Sequence, residues 1–194
     1  MVTKPQLLAL LASPRTRGNS DLLLETFLEG VGEGGGEYEK VTVSSLTIAP
    51  CNECLACENT GECVIRDDMD RVYPRLLEAD KLVVASPIFF YGLPAHFKAL
   101  IDRCQALWYR RRLMEEGGES FSGGSAFSLL VGATRGKKLF DGALLTLRYF
   151  YLALGLTPEG ALTYREVEAK GEIAGHHSAL EDARRAGWGF IRPD

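Results

Sequence analysis

The sequence predicts a doubly wound α/β fold, with five parallel strands in one sheet and helices on both faces. Three observations carry that prediction. Apolar segments of strand length alternate with segments of helical periodicity along the chain. KLVVASP at 81–87 is a continuous apolar run without polar alternation, which suits a strand covered on both faces. The links at 13–20, 87–92 and 133–138 each join a strand to a helix, at the sheet edge where such folds bind ligands.

The elements follow in order. PQLLALLAS supplies the first strand and ends at Ser13-Pro14, and a helix begins near Asn19, with Leu22, Leu23, Phe27 and Leu28 at helical spacing. The glycine-rich stretch 30–39 is expected to end that helix. YEKVTVSSL (38–46) reads as a strand, with Val41 and Val43 on one face. A short helix is expected over Asp70 to Leu77, because Pro74 is tolerated only near a helix start. After the strand at 81–87 comes one long helix from Ala95 to Met114, then a polar break at 115–124 that would suit a lid. A strand at 125–133, a helix at 140–155 stopped by Gly155, a short strand at 158–164 and a last helix at 174–187 complete the pattern. The chain reads as one domain over 1–194, with a cysteine-rich insertion at about 48–69.

Bulk properties narrow the function classes. The 194 residues are 46% hydrophobic and 25% charged, and the net charge of −4 gives no basic footprint for nucleic acid. The apolar run at 6–12 is too short, and too close to Pro5, for a secretory leader, and no stretch reaches the roughly 18 apolar residues of a membrane helix. A cytoplasmic location is therefore expected, with no membrane partner, and a reducing compartment disfavours disulfides.

Two loops carry clear chemistry. In SPRTRGNS (13–20), Ser13, Thr16, Asn19 and Ser20 offer polar side chains, Arg15 and Arg17 add positive charge, and Gly18 permits close approach of the backbone. The following helix directs its free N–H groups and positive dipole end into the same space, which makes a phosphate site. The loop is neither a Walker A sequence nor G-x-G-x-x-G. SPIFFYGLP (86–94) sets Phe89, Phe90 and Tyr91 directly after a buried strand, where a flat ring system would find apolar edges and N–H groups presented at Gly92. One or two of these aromatics are expected to pack into the core, since an extended chain cannot turn three consecutive side chains inward.

The four cysteines in PCNECLACENTGEC, spaced C-x2-C-x2-C-x5-C, leave disulfides, zinc and an iron–sulfur cluster as candidates. Zinc is usually held by two separated pairs, whereas Cys51, Cys54 and Cys57 are evenly spaced and Cys63 returns after a turn at Gly61. The even triplet matches the bacterial ferredoxin run, although the fourth cysteine arrives later and without its proline. Cys104, inside ALIDRCQAL, reads as a core residue.

Taken together, SPRTRGNS, the cysteine run followed by DDM, the stretch ADKLVVASPIFFYGLPAHFKALIDR and GATRGKK resemble the flavodoxin-like NAD(P)H-dependent FMN reductases, and most specifically the iron–sulfur flavoproteins. The resemblance covers about residues 5–160. It implies a flavodoxin-like fold and an FMN phosphate held by Ser13, Arg15, Asn19 and Ser20, with Arg17 and Gly18 in the same loop. It implies flavin-ring contacts from Pro87, Ile88, Phe89, Phe90, Tyr91 and Gly92, and from Ala133, Thr134, Arg135 and Gly136. Arg135 stands where relatives more often carry small residues. The resemblance also implies a [4Fe–4S] cluster on Cys51, Cys54, Cys57 and Cys63, NAD(P)H as a transient co-substrate, and a homodimer or homotetramer.

Several other residues read as structural. Asp67 and Asp68 suit helix capping, Arg110 to Arg112 a solvated helix face open to NADPH phosphates, and His96 either surface packing or a substrate-side contact. His176 and His177 begin the last helix without an evident partner. The expected function is an oxidoreductase passing electrons from NAD(P)H or ferredoxin through FMN to a small acceptor such as a quinone. The alternatives are a flavodoxin-type carrier and a binding module with structural zinc.

Overall fold

A computed structural model of the chain describes residues 6–118 and 123–192. Among them, strands β1 (Gln6–Leu11), β2 (Glu37–Thr42), β3 (Lys81–Pro87), β4 (Gly124–Val131) and β5 (Leu156–Tyr164) form one sheet, ordered β2-β1-β3-β4-β5. All four pairings are parallel. Helices α1 (Asn19–Glu33), α2 (Met69–Glu78), α3 (Ala95–Arg103), α4 (Gln105–Glu116) and α5 (Asp141–Ala153) make the connections, and α6 (Ala179–Ile191) follows β5. The chain steps outward from β1 to β2, then crosses back to β3, so the carboxyl ends of β1 and β3 flank the switch point.

Strand alternation divides the core into two halves. Leu8, Leu10, Leu82, Val84, Ala126 and Leu130 face α2, α3, α4 and α5 through Val72, Phe97, Leu100, Leu107 and Phe150. Leu7, Ala9, Leu11, Val83, Ala85 and Leu129 face α1 and α6, where Phe27, Phe127 and Phe190 form a ring cluster. The central strand β3 is buried at Leu82–Ser86, as its unbroken apolar run predicts.

The elements differ from expectation in four places. Helix α1 continues through Gly30 and Gly32, because Gly30 is a close-approach point and not a stop: a Cβ there would lie 2.0 Å from the Arg184 carbonyl oxygen of α6. The strand expected over 38–46 ends at Thr42, and Val43–Ser45 forms a 3₁₀ turn that turns Val43 into the core. The single helix expected over 95–114 is two helices. At Cys104 the carbonyl accepts from both Leu107 and Trp108 N–H, tightening the turn between α3 and α4. The last helix starts later than expected, at Ala179, where Ser178 precedes a first turn carrying Glu181 and Asp182. The lid expected at 115–124 falls partly on residues 119–122, outside the described residues. Among the described residues no helix is long and apolar enough to cross a membrane.

Candidate functional site

The first βα turn folds into an anion cradle. Ser13 Oγ accepts from Arg15 N–H at 3.2 Å, and Gly18 N–H closes a tight turn on the Arg15 carbonyl at 3.0 Å. Arg17, in the left-handed region at φ 52°, donates its N–H to Asp21 Oδ2 at 2.7 Å. The other oxygen of Asp21 accepts from Lys40 Nζ, which also pairs with Glu25. Burial opposes the Lys40 charge, but these two carboxylates hold its pKa above the ordinary lysine value. Leu22 N–H is the first to reach back into the helix, to Gly18, which leaves the N–H groups of Asn19, Ser20 and Asp21 without an acceptor inside the helix. Ser20 Oγ is buried there without a hydrogen-bond partner.

The turn opens on a cavity of about 240 Å³ at the switch point, lined by Ser13–Arg15, Asn19 and Ser20, by Pro87–Phe89, by Val131–Ala133, and by Val167 and Glu168. The three loops expected to meet at this edge thus do meet. The fourth wall, Val167 and Glu168, has no counterpart in the sequence reading. Val167 is drawn in by its N–H bond to the Gly132 carbonyl at 3.2 Å.

The aromatic loop is a two-residue turn. Phe89 and Gly92 exchange both backbone hydrogen bonds, at 3.0 and 2.9 Å, and Phe90 (φ 48°) and Tyr91 (φ 61°) occupy its corner. Left-handed backbone at two consecutive bulky residues costs on the order of 1–3 kcal/mol each, strain that collects at ligand sites. None of the three aromatics enters the core: Phe90 is fully exposed, and Phe89 and Tyr91 are about half exposed at 46% and 50%. The N–H of Gly92, expected to face a ligand, is spent inside the turn. Tyr91 instead crosses to the third loop, where its hydroxyl lies 2.1 Å from where a Cβ on Gly136 would sit.

Other expected site residues are placed differently. Asn19 directs its side chain away from the cradle: Nδ2 donates to the Ala169 carbonyl at 2.9 Å and Oδ1 accepts from Ile173 N–H at 3.2 Å. Arg17 and Gly18, Phe90 to Gly92, and Thr134 to Gly136 are not among the residues that line the cavity, and Arg135 pairs with Glu166 in solvent, where an ion pair contributes little. His96 Nε2 lies 2.8 Å from the Ala12 carbonyl and ties the start of α3 to the end of β1. His176 packs edge-on against Tyr164 with His177 stacked on it.

The insertion builds a second cavity. Its neck is closed by Thr47 N–H to Asp68 Oδ2 (2.8 Å), Ala49 N–H to Asp67 Oδ2 (2.9 Å) and Met69 N–H to Asp67 Oδ1 (2.9 Å). Asp67 thus caps α2 as expected, and it does more. The fully buried Arg103 bonds to it at 2.6 Å through Nη1, which also reaches the Ala49 carbonyl, while Nη2 reaches the Ile65 carbonyl at 2.8 Å. Burial would raise the Asp67 carboxyl, but Arg103 and the Ala49 and Met69 amides hold it below the usual carboxylate range.

Glu53 (φ 57°) and Leu55 (φ 60°) wind the chain tightly on either side of Cys54, and Gly61 (φ 67°) lies against Arg110 of α4 so closely that a Cβ would stand 2.6 Å from the Arg110 Cβ. Cys51, Cys54, Cys57 and Cys63 consequently line one cavity of about 430 Å³, with Arg103, Ala106 and Tyr109 among its other walls. Burial pushes the Cys57 thiol up, and the neighbouring charges of Cys63, Cys51 and Cys54 push it further. All five cysteines are free thiols, and Cys104 is buried in the core as expected. Among the described residues, no group of three or more His, Cys, Asp or Glu could hold a single metal ion.

A doubly wound parallel sheet whose βα loops meet in a cavity at the switch point defines an α/β protein of the kind that takes its ligands at the carboxyl ends of its strands. The chain belongs to the NADPH-dependent FMN reductase family, whose sequence pattern matches residues 5–153. Relatives include an iron–sulfur flavoprotein of Archaeoglobus fulgidus, 34% identical over 75% of this chain and 71% of the relative. An iron–sulfur flavoprotein of Methanocaldococcus jannaschii is 37% identical over 49% of each chain, so the chain spans about half the length of that relative. A solved NAD(P)H:quinone oxidoreductase from Methanothermobacter marburgensis shares the fold with a TM-score of 0.73 at 21% identity, over 99% of this chain and 100% of the other. An FMN-dependent NADH-azoreductase from Bacillus anthracis does so with a TM-score of 0.68 at 13% identity, over 96% and 100%.

Proposed function

We propose that the chain is an FMN-dependent oxidoreductase that takes electrons from NAD(P)H or ferredoxin and delivers them to a small acceptor such as a quinone, with a [4Fe–4S] cluster on Cys51, Cys54, Cys57 and Cys63. The observation that carries the flavin reading is Ser20, a buried hydroxyl left without a partner at the positive end of α1, on the wall of the switch-point cavity. A phosphate oxygen satisfies both the hydroxyl and the helix-end N–H groups. Ser13 and Arg15 would hold the same phosphate, with Gly18 keeping the turn tight and Arg17 and Asn19 bracing it. Pro87–Gly92 and Ala133–Gly136 would border the ring, with the exposed Phe90 and Tyr91 corner on the side where NAD(P)H visits. When bound, FMN supplies hydride and single-electron chemistry, and the cluster supplies one-electron transfer.

The cysteine cavity supports a cluster over zinc. Zinc is usually held by two separated pairs, whereas Cys51, Cys54 and Cys57 are evenly spaced as in the ferredoxin run and share one cavity with Cys63. A homodimer or homotetramer would cover the exposed Trp108, Leu145 and Tyr149 on α4 and α5.

Anaerobic purification with flavin, iron, sulfide and zinc analysis tests the cofactors. Flavin without iron or sulfide removes the cluster, and absence of flavin overturns the whole reading. Oxidation of NAD(P)H with a quinone tests the activity, and a flavin-bearing protein that fails to turn over is a flavodoxin-type carrier. Ser20→Ala is expected to weaken FMN roughly tenfold to hundredfold, the loss of one hydrogen bond to a charged group. The same variant should leave the flavin-free protein as stable as before or slightly more so, because it removes an unsatisfied hydroxyl. Flavin titration and urea melts of the two proteins check both halves.

A further inference from the structure

Arg103 presents a second unpartnered donor. Its guanidinium is buried, four of its five N–H protons belong to the two terminal nitrogens that hold Asp67, Ala49 and Ile65, and Nε is buried with no hydrogen-bond partner. A buried arginine proton left unpaired is costly, so its surroundings are informative. Arg103 lines the cysteine cavity, and Nη2 grips Ile65, which lies two residues beyond Cys63. None of the bonds that close the neck of the loop uses Nε, and Arg103 shares the cavity wall with all four cysteines.

We propose that Arg103 is a positioning residue whose Nε–H is reserved for the sulfur of Cys63. Tyr73 flanks the same corner: its hydroxyl donates to the Arg103 carbonyl at 3.0 Å, and it lines a groove with Cys63. The neck clasp and the sulfur contact therefore belong to one side chain, and closing the loop delivers a cationic donor to one of its four thiols. Hydrogen bonds to ligand sulfurs and local charge are levers on cluster potential, so Arg103 would favour the reduced form. This redox consequence rests on the cluster reading; the donor assignment does not.

The test uses the full chain, ¹⁵N-labelled, with the Arg103 Nε–H resonance identified by its loss in Arg103→Lys. In iron-free protein, Cys63→Ala is expected to speed exchange of that proton with solvent at least tenfold, while Cys51→Ala leaves it unchanged. In protein loaded with iron and sulfide, the resonance is expected to shift between oxidised and reduced states, as a proton bonded to a cluster sulfur does. Iron-loaded Arg103→Lys is expected to hold about tenfold more oxidised cluster at a fixed potential, equivalent to about 59 mV for one electron. A proton indifferent to Cys63→Ala, or one that answers to Cys51→Ala instead, overturns the assignment. So does a resonance blind to redox state, or an Arg103→Lys midpoint equal to that of the native protein. Failure to load iron at all defeats the cluster reading alone, and the exchange comparison still decides the role of Arg103.

Discussion

Arg103→Met is expected to destabilise the protein by about 3–5 kcal/mol, the usual consequence of removing one partner from a buried ion pair. The side chain of Arg103 is wholly buried and that of Asp67 is only 10% exposed, so the variant strands a carboxylate out of water. It also leaves the Ala49 and Ile65 carbonyls without their donor. Urea melts measure the loss, and the double variant Asp67→Asn with Arg103→Met should recover part of it. Asparagine removes the stranded charge while keeping an acceptor for the Ala49 or Met69 amide. An Arg103→Met protein as stable as the native one would show that the neck does not depend on the pair.

The same pair gives stability a pH dependence of definite sign. Asp67 titrates below its unfolded value when folded. The unfolded chain therefore takes up that proton first as pH falls. The contribution is complete above the ordinary carboxylate value of about 3.9 and disappears as pH drops through the lower, folded value. Urea midpoints measured downward from neutral pH should show an acid slope that is reduced in Asp67→Asn. Equal slopes in the two proteins would deny the pair this role.

How much of this was legible in sequence depended on whether the signal was local. The strand at 81–87 and the loops at 13–20, 87–92 and 133–138 were readable because apolar runs and turn residues report on their own neighbourhoods. The cysteine spacing likewise announced a common cavity. The break at Cys104 carries neither glycine nor proline, so periodicity ran straight through it. Asn19 was assigned to the phosphate by its position in the loop, yet its amide braces Ala169 and Ile173, more than 140 residues downstream. Arg103 was invisible for the same reason: within ALIDRCQAL it is one more helical arginine, and only the fold brings Asp67 and Ile65 to it.

Gly187→Ala carries the consequence of distance furthest. In an isolated helix the change would stabilise by about 1 kcal/mol. Here a Cβ on Gly187 would stand 1.9 Å from the Phe27 carbonyl oxygen, just as one on Gly30 would stand 2.0 Å from that of Arg184. The obstacle in both cases is backbone, which cannot rotate aside, so α1 and α6 must part along their whole contact. The expected cost is about 3 kcal/mol, the upper end of ordinary overpacking. Gly189→Ala, two residues on and facing open space, is the matched control and should be neutral or stabilising. Because the N-terminus of α1 carries the anion cradle, the displacement should reach the site as well, with flavin retention falling at least tenfold in Gly187→Ala and unchanged in Gly189→Ala. Urea melts and flavin titration of the two variants decide it. If Gly187→Ala matches Gly189→Ala in both, the glycine pair does not set the crossing, and the cradle is positioned by β1 and the loop alone.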